Sequence, residues 1–359
     1  MDHLPQNPAI IILSILALLV VAVVAVLRHP AFGRRMSAER KARIEASSNY
    51  RDGMFQNQQP TPQFTGNTNM LKAMWTMLRR KDSNRVPKEP LPAVKTDLKS
   101  LPTDRDWFVW FGHSSYLFQL GGKRFLVDPL LKMEFPASLM MKPFAGTDIY
   151  TPDDMPEIDV LIITHEHWDH LDYATLRDLR PKVKHAVCPL GVAEYLEYWK
   201  YEPSIVHEMD WMEELKIKNY ELRITCLPSR HFSNRLLRGR NQTLWAAFMV
   251  EAGDRKVYIG GDGGYDDRFR QAREQFGKID LAIMENGQYN PNWAYIHMLP
   301  QDLEQSILDL QAEQVITVHH DKFALSTHAW SEPDSVARSI AERNAIRLLD
   351  QPIGTVIYF

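Results

Sequence analysis

Hydrophobic and polar positions divide this chain into regions with clearly different patterns. One uninterrupted apolar run, AIIILSILALLVVAVVAVL at residues 9–27, contains no charged residue. A helix of this length rises about 1.5 Å per residue and reaches roughly the 30 Å thickness of a bilayer core. We therefore expect a retained transmembrane helix. A cleaved signal peptide and a buried core helix are the alternatives, and the lack of basic residues in MDHLPQNP disfavours the first.

The residues that follow the apolar run are polar before they become periodic again. Residues 28–68 show little apolar periodicity and predict a linker or an extended arm. Residues 70–81, MLKAMWTMLRRK, repeat apolar side chains at helical spacing among lysines and arginines. This pattern predicts a basic amphipathic helix, which either lies on an anionic membrane surface or packs on the following domain.

From about residue 104 onward, short β-rich runs alternate with turns and helical stretches. The ten candidate strands are WFVWFG, SYLFQL, KRFLVD, DVLIIT, HAVCP, LRITCL, WAAFMVE, KVYIGG, LAIME and VITVHH. Helical patterns lie near residues 174–180, 191–200, 265–276 and 302–313. The alternation predicts one α/β domain over residues 69–359. The linker, the membrane helix and a short extracytoplasmic tail at residues 1–8 precede it.

Charge and cysteine content narrow the classes of partner and compartment. Lys plus Arg number 42 against 45 Asp plus Glu, so the net charge gives no overall attraction for nucleic acid. Nucleic acid is therefore not expected as a partner. Cys188 and Cys226 lie in apolar runs and are expected to be reduced core thiols. Basic residues after the apolar run place the domain in the cytoplasm by the positive-inside rule. They are Arg28, Arg34, Arg35, Arg40, Lys41 and Arg43.

The strongest chemical signal is the sequence THEHWDHLD, which follows the apolar run DVLII. It places His165, His167, Asp169 and His170 within six positions. Imidazole nitrogen and carboxylate oxygen are ligands that zinc and similar divalent ions accept. Four such groups so close together exceed the needs of one tetrahedral ion, which indicates two adjacent ions.

Three further candidate ligands each follow the carboxyl end of an apolar run. They are His231 after LRITCLPSR, Asp262 after KVYIGG, and His319 after VITV, with His320 as the competitor of His319. Loops beyond the carboxyl ends of strands form the crevice in which α/β sites assemble. Asp262 lies in GGDGGYDD, whose glycines permit a tight turn close to an ion. A phosphate-binding loop is disfavoured because no Lys-Ser/Thr follows.

This arrangement, H-x-H-x-D-H followed by a distant histidine, an aspartate in a glycine-rich turn and a final histidine, resembles the metallo-β-lactamase superfamily. The resemblance implies a four-layer αββα sandwich with two metal ions between the edges of its sheets. It implies the following ligands: His165, His167 and His231 for one ion; Asp169, His170 and His319 for the other; and Asp262 for both. His319 is preferred to His320 because HHDKFAL is similar to HWGTFAL of one branch.

That branch is the N-acylphosphatidylethanolamine-hydrolysing phospholipase D family, and the similarity runs from about residue 70 to past residue 330. The tracts that carry it include WFGHSSYL, FLVDP, HLDY, EMDWMEE, PSRHF, GDGGY, FGKIDLA and GQYNPNW. The chain departs from the family at Glu166, where asparagine is frequent. It departs again at His320-Asp321-Lys322, where the family has Trp-Gly-Thr.

The resemblance implies a metal-dependent hydrolase that cleaves a phospholipid phosphodiester by attack of a metal-bridging hydroxide. A small-molecule lactonase or ester hydrolase of the same superfamily is the alternative. A membrane-bound scaffold with a structural metal is a third hypothesis, but seven ligands exceed the four of a closed structural site. Two divalent ions are expected, zinc first, with Mn²⁺ or Fe²⁺ as alternatives. The expected partner is a membrane phospholipid, and a homodimer is left open.

A few other side chains are candidates through the same resemblance. His297 and His113 are placed near the site, where they would orient ligands or contact substrate phosphate, unless they are structural histidines. Asp128 in FLVDP could orient a ligand. Tyr289 could line an acyl or headgroup pocket, although aromatic residues more often belong to the core. The assignments are Asp169, Asp262 and His297 as catalytic, and His113, Tyr289 and His297 as substrate-binding.

Overall fold

A computed structural model describes residues 8–79, 84–235 and 239–359 of the chain. All but the last residue of the predicted tail lies outside the described residues, as do positions 80 and 81 of the predicted amphipathic segment. The helices in these ranges are α1 (Pro8–Leu27), α2 (Ala38–Ala46), α3 (Met70–Arg79), α4 (Tyr173–Leu179), α5 (Ala193–Tyr198), α6 (Arg268–Phe276), α7 (Pro300–Leu310) and α8 (Glu332–Asn344).

All ten predicted strands are present, and the described residues contain five more. The strands are β1 (Tyr50–Arg51), β2 (Met54–Phe55), β3 (Trp107–Trp110), β4 (Tyr116–Leu120), β5 (Lys123–Val127), β6 (Ile158–Ile162), β7 (Val183–Pro189), β8 (Val206–Met209), β9 (Glu214–Ile217), β10 (Leu222–Leu227), β11 (Ala247–Ala252), β12 (Arg255–Ile259), β13 (Leu281–Glu285), β14 (Val315–Val318) and β15 (Val356–Tyr358).

Two mixed sheets form the body of the domain. Within the described residues, one sheet has the order β15-β3-β4-β5-β6-β7-β8 and the other the order β14-β13-β12-β11-β10-β9. In the first, β5 to β8 run parallel, and in the second β12 to β14 run parallel. The candidate ligands lie in the loops that follow the parallel strands β6, β12 and β14, and His231 lies in the loop that follows the antiparallel strand β10.

Three apolar layers hold the sheets and helices together. Alternate residues such as Phe108 and Phe248 meet in one core between the two sheets. The opposite face of the first sheet packs on α4 and α5, and that of the second packs on α6, α7 and α8. Because most strands are covered on both faces, they are almost continuously hydrophobic. The predicted four-layer αββα sandwich is confirmed.

Residues 30–57 are bound to the surface of the domain. Arg40 of α2 forms ion pairs with Glu194, Glu197 and Glu208 at nitrogen-to-oxygen distances of 2.5, 2.7 and 3.1 Å. The indole nitrogen of Trp199 donates a hydrogen bond to the carbonyl of Pro30. This part of the predicted linker, called the arm below, is therefore docked on the domain, and α2 is a helix that the sequence pattern did not predict.

Arg235 joins this arm to the loop that follows β6. Its buried guanidinium donates to the carbonyl of Ala31 at 2.9 Å and to that of Glu166 at 2.7 Å. It also lies 3.8 Å above the ring of Trp168. The arm and the histidine-rich loop are thus held by one side chain.

The two segments that sequence patterning associated with a membrane have different environments. Helix α1 has no buried residue and has the length and apolar composition of a membrane span. In α3, Ala73 packs against Trp293 and Ile296 of the domain, while Leu71 stays exposed. Helix α3 is therefore attached to the domain along one face.

Cys188 and Cys226 are both buried and free, as the sequence predicts. Burial raises the pKa of both thiols well above the ordinary value, so they remain protonated in the core.

Candidate metal centre

The loop between β6 and α4 carries four of the candidate ligands. Thr164 begins this loop, and its amide and hydroxyl both donate to the buried carboxylate of Asp128 at the end of β5. The side chain of Asp172 caps α4 by accepting a hydrogen bond from the amide of Thr175. The strand end and the helix start are thereby fixed, and the histidines between them face one point.

A first group of nitrogen atoms comes from His165, His167 and His231. The Nδ1 atom of His167 lies 2.9 Å from His165 Nε2 and 3.2 Å from His231 Nε2. Ligand nitrogens about 2.0–2.1 Å from a tetrahedral zinc ion are roughly 3.3 Å from one another. The observed separations therefore fit three ligands of one ion.

A second group comprises His170, His319 and Asp169. The Oδ2 atom of Asp169 lies 3.7 Å from the Nε2 atoms of both histidines. All three side chains are largely buried. Their ligand atoms lie close enough together to hold a metal ion.

The carboxylate of Asp262 contacts both groups. Its Oδ2 atom is 3.2 Å from the Nε2 atoms of His170 and His319, and 3.9 Å from those of His165 and His231. The neighbouring Gly261 has a φ of +58°, and a Cβ there would lie 2.6 Å from the carbonyl of Ala246. Only glycine permits this turn, which directs Asp262 between the two groups.

Hydrogen bonds at the far side of the rings fix the tautomers. His170 Nδ1 lies 2.7 Å from Asp128 Oδ2, and His231 Nδ1 lies 2.8 Å from the carbonyl of Ile296. Each of these oxygens accepts a proton from Nδ1, so each Nε2 is left with its lone pair facing the cluster. This is the arrangement that metal-binding histidines require.

The electrostatics of the cluster fit divalent cations. Burial lowers the pKa of His165 and His231 well below the ordinary value, and it lowers the pKa of His167 to about 4. Although burial opposes it, the negative charge of Asp262, Asp169 and Asp128 raises the pKa of His170. The first group is thus neutral, and the field around the second attracts positive charge.

Unsatisfied polar atoms support the same conclusion. Among the described residues, buried atoms without a hydrogen-bond partner include His170 Nε2, His319 Nε2 and Asp262 Oδ1. Leaving such groups without a partner costs about 1–3 kcal/mol each. Metal ions at this position would satisfy them.

His113 and His297 both border this cluster, and each ring lies beside that of His319. His113 Nε2 is 2.9 Å from Asp169 Oδ2, and its side chain is completely buried. His297 Nδ1 is 2.9 Å from Glu285 Oε2, and its side chain is 13% exposed. His113 is therefore in a position to orient Asp169, and His297 is open to a ligand.

Glu285 is a member of the site that the sequence analysis missed. It ends β13, its carboxylate also accepts from the amide of Met298, and it groups with Asp262, His297 and His319. Its position at the carboxyl end of an apolar strand, in LAIME, is the same signal that identified the other ligands.

Two of the sequence candidates lie outside the cluster. The hydroxyl of Tyr289 donates to Glu332, and its ring stacks on His328 beside a cavity of about 490 Å³. His320 directs its Nδ1 atom towards Asp321 and Asp334, away from the ligands around His319.

Comparison with known proteins identifies relatives over most of the domain. A family model described as a β-lactamase superfamily domain matches residues 123–320. An uncharacterized protein of Mycobacterium tuberculosis is 33% identical over 306 residues, which are 83% of this chain and 80% of that protein. N-acyl-phosphatidylethanolamine-hydrolyzing phospholipase D 1 of Caenorhabditis elegans is 29% identical over 235 residues, covering 61% of this chain and 65% of that protein.

Solved structures share the architecture at lower sequence similarity. CmlA, a diiron β-hydroxylase from Streptomyces venezuelae, superposes with a TM-score of 0.54 at 18% identity. The match covers 76% of this chain and 55% of that chain. At 18% identity this comparison shows a shared fold and does not bear on the reaction.

Proposed function

This chain belongs to the β-lactamase superfamily and is a metal-dependent hydrolase of its metallo-β-lactamase branch; from that premise we propose that it hydrolyses a phosphodiester of a membrane phospholipid. The reaction would be of the phospholipase D type, which releases phosphatidic acid. The observation that carries the proposal is the position of Asp262, whose carboxylate contacts two groups of buried ligands. Similarity to a named N-acyl-phosphatidylethanolamine phospholipase D supports the choice of substrate.

In this proposal two divalent ions, zinc first, are held by the two groups. His165, His167 and His231 would hold one, Asp169, His170 and His319 would hold the other, and Asp262 lies where it could serve both. Bound ions of this kind supply Lewis acidity that lowers the pKa of water and neutralises charge on phosphate oxygens. A phosphodiester needs both effects because it is negatively charged.

Side chains beside the ligands would position the substrate and move protons. Burial lowers the pKa of His297, but the carboxylate of Glu285 outweighs burial and raises it above the ordinary value. His297 is thus favoured as an imidazolium, which would donate a proton from Nε2 to the departing alcohol oxygen. Burial lowers the pKa of His113 to about 3, so His113 stays neutral and would position Asp169 without touching substrate.

The substrate would be met at a membrane. Helix α1 would anchor the chain, with the domain on the cytoplasmic side. Three of the six basic residues behind this orientation, Arg34, Arg40 and Arg43, also form ion pairs with carboxylates of the domain. Deleting residues 1–27 should move the protein from the membrane fraction to the soluble fraction. Retention of the shortened chain in the membrane fraction would contradict this anchor.

The test of the reaction uses the full chain in detergent with N-acylphosphatidylethanolamine, zinc and water labelled with ¹⁸O. We expect phosphatidic acid that carries one ¹⁸O atom on phosphorus, together with an unlabelled N-acylethanolamine. His297→Gln should lower kcat by about 10²–10⁴-fold if it is the general acid. His207→Gln, which changes a histidine on β8, is the matched control and should retain activity.

The outcome that contradicts the proposal is equally specific. If zinc-loaded protein releases no phosphatidic acid but hydrolyses soluble lactones, the lactonase alternative replaces it. In that case deletion of residues 1–27 should leave turnover unchanged, because the substrate is not in the membrane.

A further inference from the structure

A second cluster of side chains that could bind a metal ion involves the loop that follows β14 and the start of α8. It consists of His320, Asp321 and Asp334, and their ligand atoms lie within 4.8 Å of one another. His320 Nδ1 is 3.4 Å from Asp321 Oδ1 and 3.6 Å from Asp334 Oδ1. None of the candidate ligands of the main centre belongs to this cluster.

The imidazole of His320 is directed into this cluster and is unsatisfied there. The residue is 3% exposed, and within the described part of the chain its Nδ1 atom has no hydrogen-bond partner. Its other nitrogen, Nε2, lies 3.3 Å from the hydroxyl of Thr317. Its ring is 4.7 Å from the ring of Trp110, which limits rotation away from the cluster. A buried, orphaned nitrogen between two carboxylates is an observation independent of the acidic residues themselves.

Two carboxylates face the imidazole of His320 in this cluster. Arg338 lines the same cavity, but within the described residues its ion pair is with Asp350, at 2.6 Å. A divalent cation among the three side chains would be attracted by both carboxylates.

The cluster is accessible to an ion from solvent. A cavity of about 200 Å³ is lined by Asp321, Asp334, Arg338 and Asp350, among others. The side chain of Asp334 is 28% exposed, so a cation can reach the carboxylate. Asp321 has a φ of +57°, a left-handed backbone that aspartate tolerates better than most residues.

We propose that His320, Asp321 and Asp334 form a separate site for one borderline divalent cation such as Zn²⁺. One imidazole nitrogen and two carboxylate oxygens are an accepted ligand set for such ions. Asp334 lies in the first turn of α8, and His320 directly follows His319. The cation would therefore connect α8 to the loop that carries a ligand of the main centre.

The experiment measures zinc content, so it does not depend on the proposed phosphodiesterase reaction. Full-length protein in detergent is loaded with Zn²⁺, freed of unbound ion by gel filtration, and analysed by mass spectrometry of the metal. We expect Asp334→Asn and Asp321→Asn each to hold one zinc ion per chain fewer than the unsubstituted protein. Glu342→Gln, which removes an exposed carboxylate from the same helix, is the matched control and should lose none.

The difference in zinc content between the variants and the unsubstituted protein does not depend on how many ions the main centre binds. Failure of the second site is therefore distinguishable from failure of the proposed function. Unchanged zinc content in both aspartate variants would overturn the site. If Asp334→Asn does not fold, Asp321→Asn gives the comparison. Anomalous scattering from zinc in crystals of the unsubstituted chain decides directly, since a peak among the three side chains supports the site and its absence refutes it.

Discussion

Replacing Asp128 by asparagine should weaken metal binding without changing the shape of the core. The carboxylate accepts three hydrogen bonds: from the amide of Thr164 at 2.8 Å, from its hydroxyl at 2.6 Å, and from Nδ1 of His170 at 2.7 Å. Asparagine has the same size but presents one oxygen and one amino group. If the oxygen keeps the Thr164 amide, the amino group faces His170.

The amino group of asparagine and the N–H at Nδ1 of His170 would then be two hydrogen-bond donors facing each other, which favours the other tautomer of His170. Its Nδ1 can lose its proton only if Nε2 takes one, and a protonated Nε2 has no lone pair for a cation. Partners that orient a metal-bound histidine are worth about 10–100-fold in metal affinity. At about 1.36 kcal/mol per tenfold change, this is roughly 1.4–2.7 kcal/mol. This range agrees with about 1.5–3 kcal/mol for a hydrogen bond to a charged group.

The assay is competition for Zn²⁺ between the protein and a fluorescent chelator. Asp128→Asn should bind 10–100-fold more weakly than the unsubstituted protein, in line with the value for such partners. Asp159→Asn is the matched control, because Asp159 is also buried but bonds Arg124 and Lys184 on another part of the sheet. If Asp128→Asn and Asp159→Asn have the same zinc affinity as the parent, the argument from tautomer control is refuted.

Three further predictions concern stability and docking. Arg40→Ala should remove one ion pair each from Glu194, Glu197 and Glu208, so limited proteolysis should cut the arm faster than in the parent; equal cutting rates would contradict docking. Phe118→Ala should lower the free energy of unfolding by about 3–5 kcal/mol, because Phe118 is fully buried and stacks on Phe125; urea denaturation checks this. Burial lowers the pKa of His185 and His207, which lie 3.1 Å apart. Their contribution to the free energy of unfolding is therefore present above pH 6.5 and is lost as the pH falls below that value. Between pH 7.5 and 5, His207→Gln should lose less stability than the parent. An identical pH profile of the two proteins would refute this.

The architecture of the domain could be predicted largely because most of its strands are buried on both faces. Continuous apolar runs such as DVLII and LAIME are then visible without knowledge of their partners. Strands β8, β9 and β15 were missed because they are edge strands whose residues are mostly exposed or half-buried, so they show no continuous buried apolar run. Their pairing depends on neighbours that are distant in sequence.

The two missed helices have a similar explanation. Helix α2, AERKARIEA, has one buried apolar residue, Ile44, and its position depends on ion pairs with residues more than 150 positions away. Helix α8 buries Pro333, Ala337 and Ile340 within an otherwise polar sequence. Neither shows the wide apolar stripe that marks a helix in sequence.

The ligands of the candidate site and three of its supporting residues, His113, Asp128 and His297, were named from the sequence, but Glu285 and the contacts between these side chains were not. His231, Asp262 and His319 could be found because each directly follows an apolar strand. The partnership of His113 with Asp169, and of His297 with Glu285, depends on side chains that meet only in the folded chain. The separate grouping of His320 could not be predicted, because Asp334 belongs to a helix without a strong sequence pattern.

The docking of residues 30–57 restricts where the enzyme can work. Helix α1 ends at Leu27, and the carbonyl held by Arg235 belongs to Ala31, so only three residues lie between them and the span from Leu27 to Ala31 is at most about 14 Å. With α1 in a bilayer, the domain has no slack to swing toward a neighbouring organelle or vesicle. Under the proposed function, the phospholipid substrate would therefore arrive by lateral diffusion within the same bilayer, and turnover would follow the surface density of that lipid and not its bulk concentration.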